Sequence, residues 1–241
     1  MTDIPSDRVR AGQPVPLLWR RTLLRHVVVV GLAGALVYAF AVVHGQWSPM
    51  HRWNRAFADA SLALLVITMS IGPLSRLWPA LLRVVAYRRE TGIYATLLAA
   101  VHTIIILEGW VEWDFARLFG YEMNPQTGEY VMFQHGFGLA NLTGIAALAY
   151  ALVLMSTSND RSIRMLGSSV WKFLQNAATV LWGLALLHTA YFLFMHFLSF
   201  HRPMPEPNPL QWPFVAAVLS VLLLRAAAFR STWSKKRNSS R

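Results

Sequence analysis

Six long apolar runs divide the chain, at about 27–43, 60–74, 91–111, 138–156, 177–200 and 212–229. Crossing about 30 Å of hydrocarbon takes about 20 helical residues. Six such helices take up about half of the 241 residues and leave little for a soluble domain. The pattern therefore predicts an all-α membrane protein, a six-helix transmembrane bundle over 25–229 between basic tails at 1–24 and 230–241. The second run is the shortest. Its Gly72-Pro73 pair marks a break or an end, and it reaches full length only if Asp59 lies at the interface. It counts as a span because six spans give a consistent topology and five do not.

Orientation follows from the basic residues. With the N-terminus inside, the inner segments carry Arg8, Arg10, Arg20, Arg21 and Arg25, then Arg76, Arg83, Arg88 and Arg89. Arg161, Arg164 and Lys172 follow, then Arg225, Arg230, Lys235, Lys236, Arg237 and Arg241. That is eighteen cations inside, against Arg52, Arg55, Arg117 and Arg202 outside. Both termini are then cytoplasmic, and the expected location is a bacterial inner membrane. The first run follows an arginine-rich tail, and Val42-Val43-His44-Gly45 has no small-x-small site, so it reads as a span and not as a cleaved signal peptide. Trp47, Trp53, Tyr87, Trp110, Trp113 and Trp212 fall near the predicted boundaries, as an aromatic belt would.

Composition agrees. Hydrophobic residues make up 55% and charged residues 14%, which excludes a disordered chain. The net charge of +11 is a topology signal and an attraction to anionic lipid head groups, so no nucleic-acid partner is needed. With no Cys, disulfides, thiolate metal sites and iron–sulfur clusters are excluded. The outer loop 111–135 is the longest connection and holds Asn124-Pro125-Gln126-Thr127-Gly128, a turn signal. Glu108, Glu112, Asp114, Glu122 and Glu129 lie at or near it, and with Trp110, Trp113 and Phe115 they make it the candidate docking surface for an outside partner. The loop 201–209 is proline-rich and predicted to be extended.

Ionisable residues inside a span are costly and point to function. His102 and His188 are deep, each eight residues before the outer end of its helix, on two helices that run in the same direction. Two hydrogen-bonded core histidines are one reading. Axial ligation of a b-type haem is the other, since haem iron accepts imidazole on both faces and bundle cores place such ligands on facing helices. Zinc or non-haem iron would want a third or fourth ligand nearby. His44, His51, His135, His196 and His201 fall at the outer surface on this topology, and His26 at the inner membrane edge. Interfacial histidines are the favoured reading of the outer five, over a metal site or a proton outlet.

Three stretches in order carry a resemblance. They are Arg88-Arg89-Glu90-Thr91-Gly92-Ile93-Tyr94 through His102; Thr143-Gly144, Ser156-Thr157-Ser158 and Arg164-x-Leu166-Gly167-x-x-x-Trp171-x-x-Leu174; and Leu187-His188 with Tyr191-Phe192. Together they resemble the ferric reductase-like transmembrane domain, and most of all the MsrQ (YedZ) family of haem-binding membrane subunits. The resemblance covers about 60–230. It implies a bundle that holds haem b and passes electrons from a quinol or flavin donor to an outside acceptor. In that family the acceptor is a periplasmic molybdopterin oxidoreductase; other subunits of a membrane complex are the alternative partners. His102 and His188 would be the axial ligands of the outer haem. Arg88 and Arg89 would meet a haem propionate or a flavin phosphate, or simply be inside arginines.

The chain departs from the family at one position. The family's further histidine, thirteen residues before the later ligand, is Gln175 here. One haem is therefore expected and not two, with a quinone as the fitting donor and Gln175 a candidate partner for its carbonyl. The competing class is a haem-free structural or assembly subunit that keeps the fold. A transporter fits less well, because no span carries a carboxylate at mid-depth. No nucleophile triad or phosphate loop is present, so catalysis would belong to a partner.

Overall fold

The computed structural model describes residues 15–132, 136–196 and 208–239. The expectations for Arg8, Arg10, His135, His201, Arg202, Arg241 and the proline-rich stretch up to residue 207 lie outside the described residues.

Helix α1 spans Val15–Val43 and ends in a turn at Gly45 before Pro49 opens α2, Pro49–Leu77. Proline suits that first turn, where its missing N–H has no helical partner to lose. Here the structure corrects the expectation of a short second span: α2 has 29 residues and runs through Pro73 to its end. Pro73 forfeits one helical hydrogen bond, to the Met69 carbonyl, without ending the helix. A 3₁₀ segment, Pro79–Tyr87, leads into α3, Arg88–Ile106, which continues as a π turn over Leu107–Val111. Glu112 and Trp113 follow with φ of 51° and 61°, a left-handed reversal that ends the helix.

The long loop is built, not free. Asp114 caps the short helix α4, Phe115–Leu118, by accepting from the Ala116 N–H. Strands β1, Tyr121–Met123, and β2, Tyr130–Met132, pair antiparallel around the expected turn, with Glu122 opposite Val131. Helix α5 is Phe137–Thr157, α6 is Asp160–Asn176, α7 is Ala178–Ala190 with a π turn over Tyr191–Met195, and α8 is Gln211–Ser239. Helix α6 is interrupted at Gly167, whose φ of 74° with ψ of 156° breaks the helical path.

Among the described residues, six helical segments are long and apolar enough to cross a membrane. Helix α2 packs against α1, α3 and α8; α5 packs against α7; and α3 joins the two groups through α5. Leu64, Leu65, Met69, Leu154, Leu181 and Trp182 are among the side chains that close the core between them. The opposite faces carry Leu97, Leu139, Leu187, Leu223 and many other exposed apolar side chains, as lipid contact requires. The helix ends fall into two groups: a basic end with Arg25, Arg76, Arg88 and Arg89, and a loop end with residues 44–51 and 107–132.

Two polar pairs tie helices at the ends. At the basic end, Glu90, only 2% exposed, sits 3.3 Å from Arg25 Nε. At the loop end, His44 Nε2 lies 2.6 Å from Asp59 Oδ2. His44 is 1% exposed, so the expected surface histidine is instead a buried one, drawn in by the carboxylate on α2.

Candidate functional site

A cavity of about 1090 Å³ runs through the bundle between the two helix groups. It is lined by all five residues singled out in the sequence: His102, His188, Arg88, Arg89 and Gln175. The two histidines face each other across it, on α3 and α7. Their ring centres are 6.4 Å apart and their planes are inclined at 74°.

Each ring is fixed by a carbonyl. His102 Nδ1 lies 3.1 Å from the Asn54 carbonyl oxygen on α2, and His188 Nδ1 lies 2.8 Å from the Ala140 carbonyl oxygen on α5. A carbonyl only accepts, so each Nδ1 carries the proton and donates. That leaves each Nε2 as a lone-pair base, the tautomer a metal-ligating imidazole needs. Gly144 makes room for this on α5: a Cβ there would lie 2.6 Å from His188 Nδ1. Helices α3 and α7 both pass into π turns shortly after their histidines, at Leu107 and Tyr191. Such wide turns re-aim a helix end and are frequent at functional sites.

The fit to a bis-imidazole haem can be judged from these distances. Metal–imidazole bonds of about 2.0–2.1 Å on opposite faces of one metal put the ring centres roughly 6.3 Å apart. The observed separation matches, and turning one ring about the ligand axis changes the interplanar angle without moving its nitrogen. The cavity, at about 1090 Å³, is slightly larger than the ligand-pocket range of about 300–1,000 Å³. Among the described residues, no three His, Asp or Glu side chains come together as a metal site, so the pair lacks the extra ligands a bare zinc would need.

The other expected residues sit at the basic end of the cavity. Arg89 Nη1 pairs with Asp160 Oδ1 at 3.6 Å on the exposed rim. Gln175 Nε2 lies 3.4 Å from Thr157 Oγ1, and Trp171 Nε1 donates to the Thr157 carbonyl at 2.9 Å. Gln175 is thus held at the junction of α5 and α6, well away from the histidine pair. At the loop end, Trp110 turns inward onto Phe137, with ring centres 4.9 Å apart, and lines the cavity. This removes it from the expected docking surface, which keeps the exposed Trp113, Phe115, Met123 and Tyr130. His196 packs among Phe137 and Phe192 at 5.5 and 5.4 Å, again inside the cavity and not on a surface. His26 lies 3.2 Å from the Tyr94 hydroxyl, a helix-to-helix contact between α1 and α3.

Sequence reasoning missed the two carbonyls that orient the rings, and no side-chain signal announces a carbonyl. It also missed the His44–Asp59 pair. The signal there was present: a carboxylate at the edge of an apolar run, with a histidine fifteen residues upstream at the end of the preceding helix.

Fold and cavity together define a multi-pass helical membrane protein with a histidine-lined interior. No family model matches the chain, and no solved structure matches it. It is similar to the magnetosome protein MamZ of Paramagnetospirillum magneticum (strain ATCC 700264 / AMB-1), with 25% identity over 173 residues. The match covers 72% of this chain and 24% of that protein, so the chain spans about a quarter of the length of the relative it matches.

Proposed function

We propose that this chain is a haem b-binding electron-transfer subunit of a membrane oxidoreductase, with His102 and His188 as the axial ligands of one haem. The observation that carries the reading is the facing pair of imidazoles, 6.4 Å apart, each held by a backbone carbonyl so that Nε2 points away from its anchor. A haem in that position supplies a one-electron carrier within the bilayer. The chain's own contribution is to fix both ligands, keep the apolar wall of α2, α3, α5 and α7 around the macrocycle, and exclude water.

The eighteen-to-four distribution of cations supports a cytoplasmic basic end, and with it a histidine pair toward the outer leaflet of a bacterial inner membrane. A quinol in the membrane is the donor. The acceptor is a protein outside, of the kind met by the exposed aromatics and carboxylates of the loop end; a periplasmic molybdopterin enzyme is the class suggested by the MsrQ resemblance. Arg88 and Arg89 offer guanidinium donors to an anionic group at the other end of the cavity. Gln175 stands where a second haem would need a ligand, so the bound haem is single. The similarity to MamZ adds that a unit of this size occurs within a longer chain.

Purified protein should be red, with a b-type absorption spectrum and about one haem per chain by the pyridine haemochrome assay. His102→Ala and His188→Ala should each abolish the spectrum while leaving the helical content intact. A colourless, folded wild-type protein would instead select a structural or assembly subunit.

A further inference from the structure

The wall of the cavity on the α1–α2 side carries a second polar group, separate from the histidine pair. Asp59 is the only carboxylate among the described residues that line the cavity. Its side chain keeps 19% of its surface, while His44, beside it on the cavity wall, has 1%. The 2.6 Å contact between His44 Nε2 and Asp59 Oδ2 is short even for a charge-assisted hydrogen bond. The imidazole therefore fixes one carboxylate oxygen, and the remaining acceptor capacity of the carboxylate is left to the cavity.

Placement matters as much as chemistry. Asn54, whose carbonyl holds His102, is on the same helix as Asp59 and one and a half turns away, roughly 7.5 Å along the axis at 1.5 Å per residue. The same cavity is lined by Leu62, Leu65, Ala99 and Ile106, apolar side chains that suit an aromatic ring and an alkyl tail. A plain tie between α1 and α2 would bury both partners. Here both line a ligand-sized void, and it is the carboxylate that keeps accessible surface.

We propose that Asp59, positioned by His44, accepts the hydrogen bond of a hydroxyl on a hydroquinone bound in this cavity next to His102. The inference rests on the quinol-donor reading and gives that donor a binding residue. It puts the hydroxyl contact on α2 near the loop end, not at Gln175. His44 is a positioning residue: it touches the carboxylate and not the ligand.

The test is binding of decylubiquinol, compared with its dimethyl ether, by anaerobic equilibrium dialysis against dithionite-reduced protein in detergent. No electron moves under these conditions, and the assay is read whether or not haem is present. A hydrogen bond to a charged acceptor corresponds to about a tenfold preference or more. Wild type should bind the quinol at least that much more tightly than the ether, and Asp59→Asn should lose most of the preference. Equal binding of quinol and ether by wild type overturns the proposal, as does an Asp59→Asn protein that binds the quinol as tightly as wild type. If Asp59→Asn does not fold, His44→Gln serves: it should weaken the quinol several-fold and spare the ether, and equal weakening of both overturns the proposal. Haem content is measured on the same samples. A colourless wild type that keeps the quinol preference would sink the haem assignment alone, and a red wild type without the preference would sink this one alone.

Discussion

His188 occupies the space that the missing side chain of Gly144 leaves open: a Cβ at position 144 would stand 2.6 Å from His188 Nδ1 and 2.7 Å from Cε1. The ring cannot retreat freely, because its Nδ1–H donates to the Ala140 carbonyl at 2.8 Å. If His188 holds haem as proposed, Gly144→Ala should push the imidazole off its anchor and weaken haem binding about tenfold, as loss of a hydrogen-bond partner does for a ligating histidine. Haem titration of the apoprotein followed at the Soret band measures it. Gly183→Ala is the control, since a Cβ there meets nothing within 4 Å.

The Arg25–Glu90 pair makes a prediction about stability. Glu90 is 2% exposed and Arg25 29%, at 3.3 Å. Arg25→Ala would strand a buried carboxylate, at a cost on the order of 2 kcal/mol, below the range for a fully buried pair because the arginine is partly solvated. Adding Glu90→Gln should recover part of the loss by removing the stranded charge. Thermal unfolding in one detergent, with the two single variants and the double variant, reads the coupling.

Haem stoichiometry tests the reading of Gln175. Gln175→Leu should leave about one haem per chain, because a second haem has no ligand there to lose. Among the described residues its side chain makes one long hydrogen bond, 3.4 Å to Thr157 Oγ1, so the stability change should be small, about 1 kcal/mol or less. A drop in quinol-dependent haem reduction in this variant would instead support a quinone carbonyl bound at the basic end.

Orientation can be checked on intact cells, since the chain contains no Cys to give background labelling. A single cysteine in place of exposed Thr127, in the turn between β1 and β2, should react with a membrane-impermeant maleimide added from outside. One in place of exposed Ser168, beside the kink in α6, should react only after the cells are opened. The reverse pattern would invert the topology and put the histidine pair in the inner leaflet.

The acidic loop makes a further prediction through its anchor. A Cβ on Gly138 would lie 2.9 Å from the Phe119 carbonyl oxygen, so α5 and the end of α4 touch through backbone. Asn141 Nδ2 adds a hydrogen bond to the Leu118 carbonyl at 2.6 Å. Gly138→Val should loosen the loop and speed proteolysis within 112–132 without changing haem content.

Much of the bundle was legible in the chain itself. An apolar run of twenty residues has few ways to satisfy its backbone in lipid other than a helix. Hydropathy therefore located the six membrane-length helices found among the described residues, and misjudged α2 only because the charged and polar residues of its first three turns, Arg52 to Asp59, masked a helix that was already under way. His102 and His188 stood out for the same reason, being costly where they lie.

What tertiary structure alone decided was where those imidazoles point and what they meet. The Asn54 and Ala140 carbonyls that set the tautomers have no sequence signature, because every residue owns one. His44 read as interfacial until α1 and α2 closed around it, and Trp110 read as an outer aromatic until Phe137 drew it inward. Helix formation is governed by the local run of residues, and packing by which faces meet, so the chain specified its spans and the assembled bundle specified the site.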